Sequence, residues 1–172
     1  MKEEPVFYER QRFSQSWSIL ILIVVNALFV YGCIIQLGMG KLWGNNPMDN
    51  TILIIVTAFL TLLTVSFFFI HLDTVVNKEG VYIKIFPFSW KYKFFTWDII
   101  SKSHVRKYNP ILEYGGWGIK YGRGIRRYRI NNVAYSVSGN RGLQLELTNG
   151  KRVLIGTRKP VELEEVLKKL NK

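Results

Sequence analysis

A single cysteine, Cys33, among 172 residues excludes a disulfide framework. The two histidines, His71 and His104, stand at no ligand spacing from each other or from that thiol, so a structural zinc site lacks its donors. Acidic residues are scarce. Twelve Asp and Glu face 24 Lys and Arg, and the formal charge of +12 favours polyanionic partners, either nucleic acid or an anionic membrane surface. Apolar residues are abundant: 48% hydrophobic and 15% aromatic residues exclude a disordered chain, which would lack the side chains to offset its ordering entropy. The length holds one ordinary domain, or one small domain plus membrane spans.

Two stretches contain no Asp, Glu, Lys or Arg at all: residues 17–37 (WSILILIVVNALFVYGCIIQL) and residues 51–71 (TILIIVTAFLTLLTVSFFFIH). At about 1.5 Å rise per residue, roughly 20 residues cross a hydrocarbon core of about 30 Å. Both are apolar on every side, so neither reads as the amphipathic helix of a soluble protein. The connection at 38–50 contains Gly38, Gly40, Gly44, Asn45, Asn46 and Pro47, which is turn chemistry. A helical hairpin is predicted. A cleaved signal peptide is disfavoured by the mixed charges before Trp17 and by the absence of a small-residue cleavage pattern in QLGMGK (36–41).

Three basic residues precede the first span, Lys41 alone lies in the loop, and the remaining twenty follow the second span. The positive-inside rule therefore places both termini in the cytoplasm of a multi-pass cell-membrane protein. The expected organisation is a cytoplasmic segment 1–16, spans 17–37 and 51–71, an extracytoplasmic loop 38–50 and a cytoplasmic domain 72–172. Within the spans, Asn26 and the helically spaced Thr57, Thr61 and Thr64 are candidates for helix-to-helix hydrogen bonding. Without an ionisable residue in either span, the usual mark of an ion pathway is missing.

Beyond residue 72 the apolar period changes to two. Val81, Ile83 and Ile85 alternate with Tyr82, Lys84 and Phe86 after a turn at Lys78, Glu79 and Gly80, which predicts a first hairpin. Further strands are predicted near 91–96, 103–108, 116–121, 127–130 and 133–137. Leu143, Leu145 and Leu147 alternate ahead of Asn149 and Gly150, predicting a hairpin with a two-residue type I′ turn and a returning strand at 151–156. A closing helix is marked by Pro160 at its start, Glu162, Glu164 and Glu165 near its N-terminus and Lys168, Lys169 and Lys172 near its end. Its stripe of Leu163, Val166, Leu167 and Leu170 would cover one end of the strand core.

The fold class expected is therefore an α+β membrane protein: a transmembrane hairpin followed by an antiparallel barrel of about seven strands with a C-terminal helix. That order, with ERQRFSQSW (9–17), EYGGWGIKYG (113–122) and VSGNRGLQLELTNGKRVLIGTRKP (137–160), resembles the two-span prokaryotic membrane proteins that carry a C-terminal bacterial PH-like domain. The resemblance covers nearly the whole chain and implies a pleckstrin-homology-like barrel at a membrane; it implies no activity. An SH3-like or OB-type barrel is the structural alternative.

Catalytic patterns fail one by one. The glycines between 115 and 124 lack the Gly-Lys-Ser/Thr of a phosphate loop and the βαβ unit of a dinucleotide site. No nucleophile turn or paired carboxylates stand out. The expectation is a non-enzyme without cofactor or metal. What remains is a basic aromatic segment: Lys102, Arg106, Lys107, Lys120, Arg123, Arg126, Arg127 and Arg129, interleaved with Tyr108, Tyr114, Trp117, Tyr121 and Tyr128. Guanidinium forks match phosphate oxygens, and aromatic rings suit the headgroup level. Lys120, Arg123, Arg126, Arg127 and Arg129 are the candidate headgroup-binding residues.

The short tether after the second span favours anionic lipid headgroups over nucleic acid as the partner of this segment. The expected function is a membrane-anchored module that docks on those headgroups and binds a protein partner, membrane or cytoplasmic. The alternative is an accessory subunit of a membrane transport or envelope complex, contacting its partner through the hairpin. Self-association is compatible with either.

Overall fold

A computed structural model of the chain describes residues 4–13, 16–121 and 132–172. The chain divides into two units: residues 14–69 form one, and residues 1–13 together with 70–172 form the other.

The first unit is a pair of apolar helices. Helix α1 (Ser16–Cys33) runs on into a π-helical stretch, Ile34–Gly38, and α2 is Asn50–Phe69. Both helices are long and apolar enough to cross a membrane, over Trp17–Gly38 and Asn50–Phe69. Gln36 ties the loop at its base, with Nε2 donating to the Met48 carbonyl and the Asn50 side chain, each at 2.7 Å.

The second unit is mixed α+β with two sheets. Strands β1 (Phe7–Arg12), β2 (His71–Val76), β3 (Gly80–Phe86) and β4 (Lys93–Thr96) form an antiparallel sheet in that order. Strands β5 (Ile100–Lys107), β6 (Gly118–Tyr121), β7 (Asn132–Ser136), β8 (Arg141–Leu147) and β9 (Arg152–Gly156) form a second sheet, in the order β5-β8-β9-β7-β6. The five-residue helix α3 (Pro110–Tyr114) follows β5, and α4 (Pro160–Lys169) closes the chain.

The alternation expected of β3 places Val81, Ile83 and Ile85 in one core with Leu72 and Val76 of β2, Leu143, Leu145 and Leu147 of β8, and Val153 and Ile155 of β9. Leu163, Val166 and Leu167 of α4 join that core, as their spacing predicts. Burying each such side chain contributes about 1.5–3 kcal/mol. A smaller cluster of Tyr108, Ala134 and Leu154, with Tyr114 against it, covers the outer side of the second sheet.

Several expectations are corrected. Among the described residues the strands do not close into a barrel: the two sheets end at β1, β4, β5 and β6. They number nine, and β7 pairs with β9 in parallel, a long-range pairing that no local pattern encodes. Residues 7–12, expected to lie in a segment outside the domain, form its first strand. Their burial alternates strictly, and every residue from Phe7 to Arg12 pairs with β2. The predicted strand at 127–130 lies outside the described residues.

The 147–151 hairpin exists, but its turn is not type I′. Gly150 has φ +78° while Asn149 is not left-handed, and Gly150 N–H donates to the Leu147 carbonyl at 2.9 Å. That combination is a three-residue loop ending in a glycine in the left-handed region. Helix α3, at five residues, is too short to show a periodicity in the sequence. Its signal is Asn109-Pro110: the Asn109 Oδ1 accepts from the Ile111 and Leu112 N–H groups at 3.1 and 3.0 Å.

Candidate functional site

The outer face of the first sheet is built row by row from its register. Arg10, Asp73 and Lys84 lie directly opposite one another on β1, β2 and β3; Arg12, His71 and Phe86 form the next row. Beyond that row Phe13 N–H donates to the Ile70 carbonyl at 3.0 Å, so the ladder continues to the two residues at which the chain leaves and re-enters this unit. The β3–β4 connection, residues 87–92, projects from this same end of the sheet, because it follows Phe86.

Asp73 is fully buried although it sits on the outer face. Arg10 covers it with a bidentate contact, Nε donating to Oδ1 at 2.7 Å and Nη2 to Oδ2 at 3.0 Å. Lys84 Nζ and His71 Nε2 each approach Oδ2 at 3.8 Å. The hydrogen bond and then the charge of Asp73 hold the Arg10 guanidinium above its ordinary range. Tyr92, whose ring lies 5.0 Å from Lys84 Nζ, has its hydroxyl pushed up by burial and then by the Asp73 charge. The carboxylate thus organises a patch that remains cationic, with Arg10 and Lys84 against one Asp and Arg12 in the next row.

The connection presents aromatic side chains outward. Phe88 is 66% and Trp90 80% exposed. Ser89 fixes the turn, its N–H donating to the Ile85 carbonyl at 2.7 Å and its hydroxyl to the Lys91 carbonyl at 2.6 Å. His71 stacks on Phe86 at 5.2 Å, and Trp90 meets Phe86 edge-on at 5.4 Å, so the tip is continuous with the sheet's aromatic surface. By local pattern 85–95 (IFPFSWKYKFF) reads as strand and turn, and the clustering of aromatic residues with lysines is the signal of the tip that the sequence carries.

The residues singled out from sequence are divided by the fold. Lys120 lies on β6, opposite Ala134. Arg123, Arg126, Arg127 and Arg129 lie outside the described residues. Arg106 is absorbed within the domain: Nε donates to Gln144 Oε1 at 3.0 Å, and Nη2 to Glu113 Oε2 at 2.8 Å and to the Tyr114 hydroxyl at 3.3 Å. Burial works to raise the Glu113 carboxyl, but the Arg106 hydrogen bond, the Asn109 N–H and the Arg106 charge outweigh it and hold the group below its ordinary value.

In the helical unit, Asn26 Nδ2 donates to Thr61 Oγ1 at 3.2 Å. Thr57, Thr61 and Thr64 hydroxyls donate back to the carbonyls of Leu53, Thr57 and Leu60 at 2.7–2.8 Å. Thr57 Oγ1 also lies 3.3 Å from Cys33 Sγ.

Among the described residues no group of three or more His, Cys, Asp or Glu is placed to hold a metal ion. Compared with known protein families and with curated proteins, the chain matches none.

Proposed function

We propose that this chain is a non-enzymatic, membrane-anchored interaction module, with both termini cytoplasmic and a PH-like second unit that docks on anionic lipid headgroups and holds a protein partner. Membrane crossing is supported by the burial of the helices. Only 6% and 11% of their apolar windows are covered within the protein, where a soluble core helix would be mostly buried. The PH-like reading is supported by two sheets sharing a core with a C-terminal helix; the parallel β7–β9 pair is a departure from an all-antiparallel barrel.

The single observation that carries the docking reading is the placement of Phe88 and Trp90. They project from the end of the sheet at which the chain, after Phe13 and before Ile70, connects to the two apolar helices, and both are exposed. Exposed aromatic rings partition into the headgroup region of a bilayer surface. Nearby Lys and Arg add about 1 kcal/mol each against an anionic leaflet. The Arg123 to Arg129 cluster would add to the same attraction. The accessory-subunit reading has less support, since Asn26 spends its amide on Thr61 of the same hairpin.

The test is fluorescence quenching of the full-length protein in liposomes of brominated lipid, comparing wild type with Trp90→Phe. The difference isolates Trp90 from the other four tryptophans. Quenching of the Trp90 component is expected, stronger in anionic than in zwitterionic bilayers, with the excess falling as salt rises. A Trp90 component unquenched in both bilayers would overturn the docking reading.

A further inference from the structure

Between the two sheets, where β3 and β4 face β6 and β7, lies a cavity of about 190 Å³. Its floor is apolar: Ile83 and Ile85 are 2% exposed each, and Ile119 lines the opposite side. Phe88 stands at its rim. Two lysines, Lys84 and Lys93, line the cavity. Lys93 Nζ donates to the hydroxyl of Tyr135, a residue only 5% exposed, at 2.6 Å.

The two lysines of this region differ in their electrostatic partners. Lys84 approaches Asp73 at 3.8 Å, whereas among the described residues no Asp or Glu lies within ion-pair distance of Lys93. Lys93 retains two N–H donors beyond the one spent on Tyr135, and a hydroxyl that accepts from an ammonium still has its own proton to donate. Two donors 2.6 Å apart match the two oxygens of one carboxylate or phosphate group.

We propose that this cavity binds a small amphipathic anion, one phosphate or carboxylate with its first few carbon atoms. The anionic group bonds to Lys93 Nζ and the Tyr135 hydroxyl, and the carbons lie against Ile83, Ile85 and Ile119. Size sets the class: at about 190 Å³ the space falls below the roughly 300–1,000 Å³ of pockets that enclose drug-sized ligands, which favours a small headgroup over a nucleotide. A glycerophosphate headgroup and a short acyl carboxylate both satisfy the chemistry. The inference goes beyond the docking reading and does not depend on it.

The experiment uses the full-length protein, labelled at isoleucine δ-methyl groups, in neutral maltoside micelles, where no anionic surface contributes. Hexanoate, hexanol, glycerol 3-phosphate and inorganic phosphate are titrated separately. Saturable shifts of the Ile83, Ile85 and Ile119 methyls are expected with hexanoate or glycerol 3-phosphate. Lys93→Gln should weaken binding at least about tenfold and Tyr135→Phe about fivefold, while Lys151→Gln, which removes an exposed charge that does not line the cavity, should leave it unchanged. Tighter glycerol 3-phosphate assigns the site to a lipid headgroup, and tighter hexanoate to a free acyl carboxylate. Hexanol binding as well as hexanoate, inorganic phosphate binding as well as glycerol 3-phosphate, no saturable shift with any probe, or equal effects of Lys93→Gln and Lys151→Gln would each overturn the proposal.

Discussion

The Glu9 carboxylate accepts a 2.6 Å hydrogen bond from the Thr157 hydroxyl across 148 positions of sequence, and its second oxygen accepts the Arg158 N–H at 2.8 Å. Glu9 is 5% exposed. Its neighbour on the same face, Gln11, donates from Nε2 to the Gly156 carbonyl. The N-terminal strand is therefore fastened on one side to β2 by its ladder and on the other to the segment leading into α4. A strand that precedes the apolar hairpin completes a domain that follows it.

Glu9→Ala should destabilise the second unit by about 3 kcal/mol, because it strips the acceptor from two donors and leaves them without a partner in a buried place. Glu9→Gln retains one acceptor oxygen and should lose about half as much. Urea unfolding followed by the β-sheet circular dichroism of the protein in micelles measures both. Equal stability of Glu9→Ala and wild type would show that the strand is held by its ladder alone.

A fragment spanning 70–172 lacks β1 and exposes the paired edge of β2, where Leu72 and Val76 are fully buried in the intact chain. It is expected to aggregate. Because Phe13 and Ile70 are hydrogen-bonded neighbours, replacing residues 14–69 with an Asn-Gly turn should instead yield a soluble folded domain. Two-dimensional amide spectra of the two proteins decide the matter: dispersed peaks for the fusion alone are expected, and a well-dispersed 70–172 fragment would make β1 dispensable.

Glu113 gives stability a pH dependence of known sign. Its carboxyl titrates lower in the folded chain than the ordinary glutamate value of about 4.3, so its contribution is fully present above that value. It disappears as pH falls through the lower folded value, since the unfolded chain then takes up the proton first. Glu113→Gln should flatten this part of the stability profile below about pH 5 and leave the profile's shape above pH 6 unchanged. Unfolding midpoints of both proteins between pH 3 and pH 7 test the difference; parallel profiles would assign the acid sensitivity to other groups.

Reversing Arg123, Arg126, Arg127 and Arg129 to Glu should reduce Trp90 quenching in anionic liposomes and leave it unchanged in zwitterionic ones, since each basic residue near the surface is worth about 1 kcal/mol. Lys120→Glu, on β6, should have a smaller effect of the same sign. Identical salt curves for the fourfold variant and wild type would remove the arginines from docking and leave the work to Phe88, Trp90 and the lysines beside them.

How much of this was legible beforehand follows the range of the interactions. The two apolar helices, the β2–β3 and β8–β9 hairpins and α4 were readable because period, capping residues and turn residues act over a few positions. Arg106 looked like one more surface cation from its neighbours in sequence; its partners Glu113 and Gln144 meet it only after α3 and β8 have folded against β5. The aromatic tip was readable in composition but not in direction, because exposure of Phe88 and Trp90 depends on which way β3 and β4 face.

Composition and local periodicity determined on their own that the chain has two spanning-length apolar helices, a strand-rich remainder, a closing amphipathic helix and a strongly basic surface. The tertiary structure alone decided that residues 7–12 belong to the distant domain, that the strands divide into two open sheets with β7 parallel to β9, that Asp73 is buried beneath Arg10, and that Lys93 meets Tyr135 beside a cavity. The division has one physical cause. Backbone preference and burial period are properties of adjacent residues, whereas strand partnership and the pairing of a buried charge are set by loop closure between segments that no local energy relates.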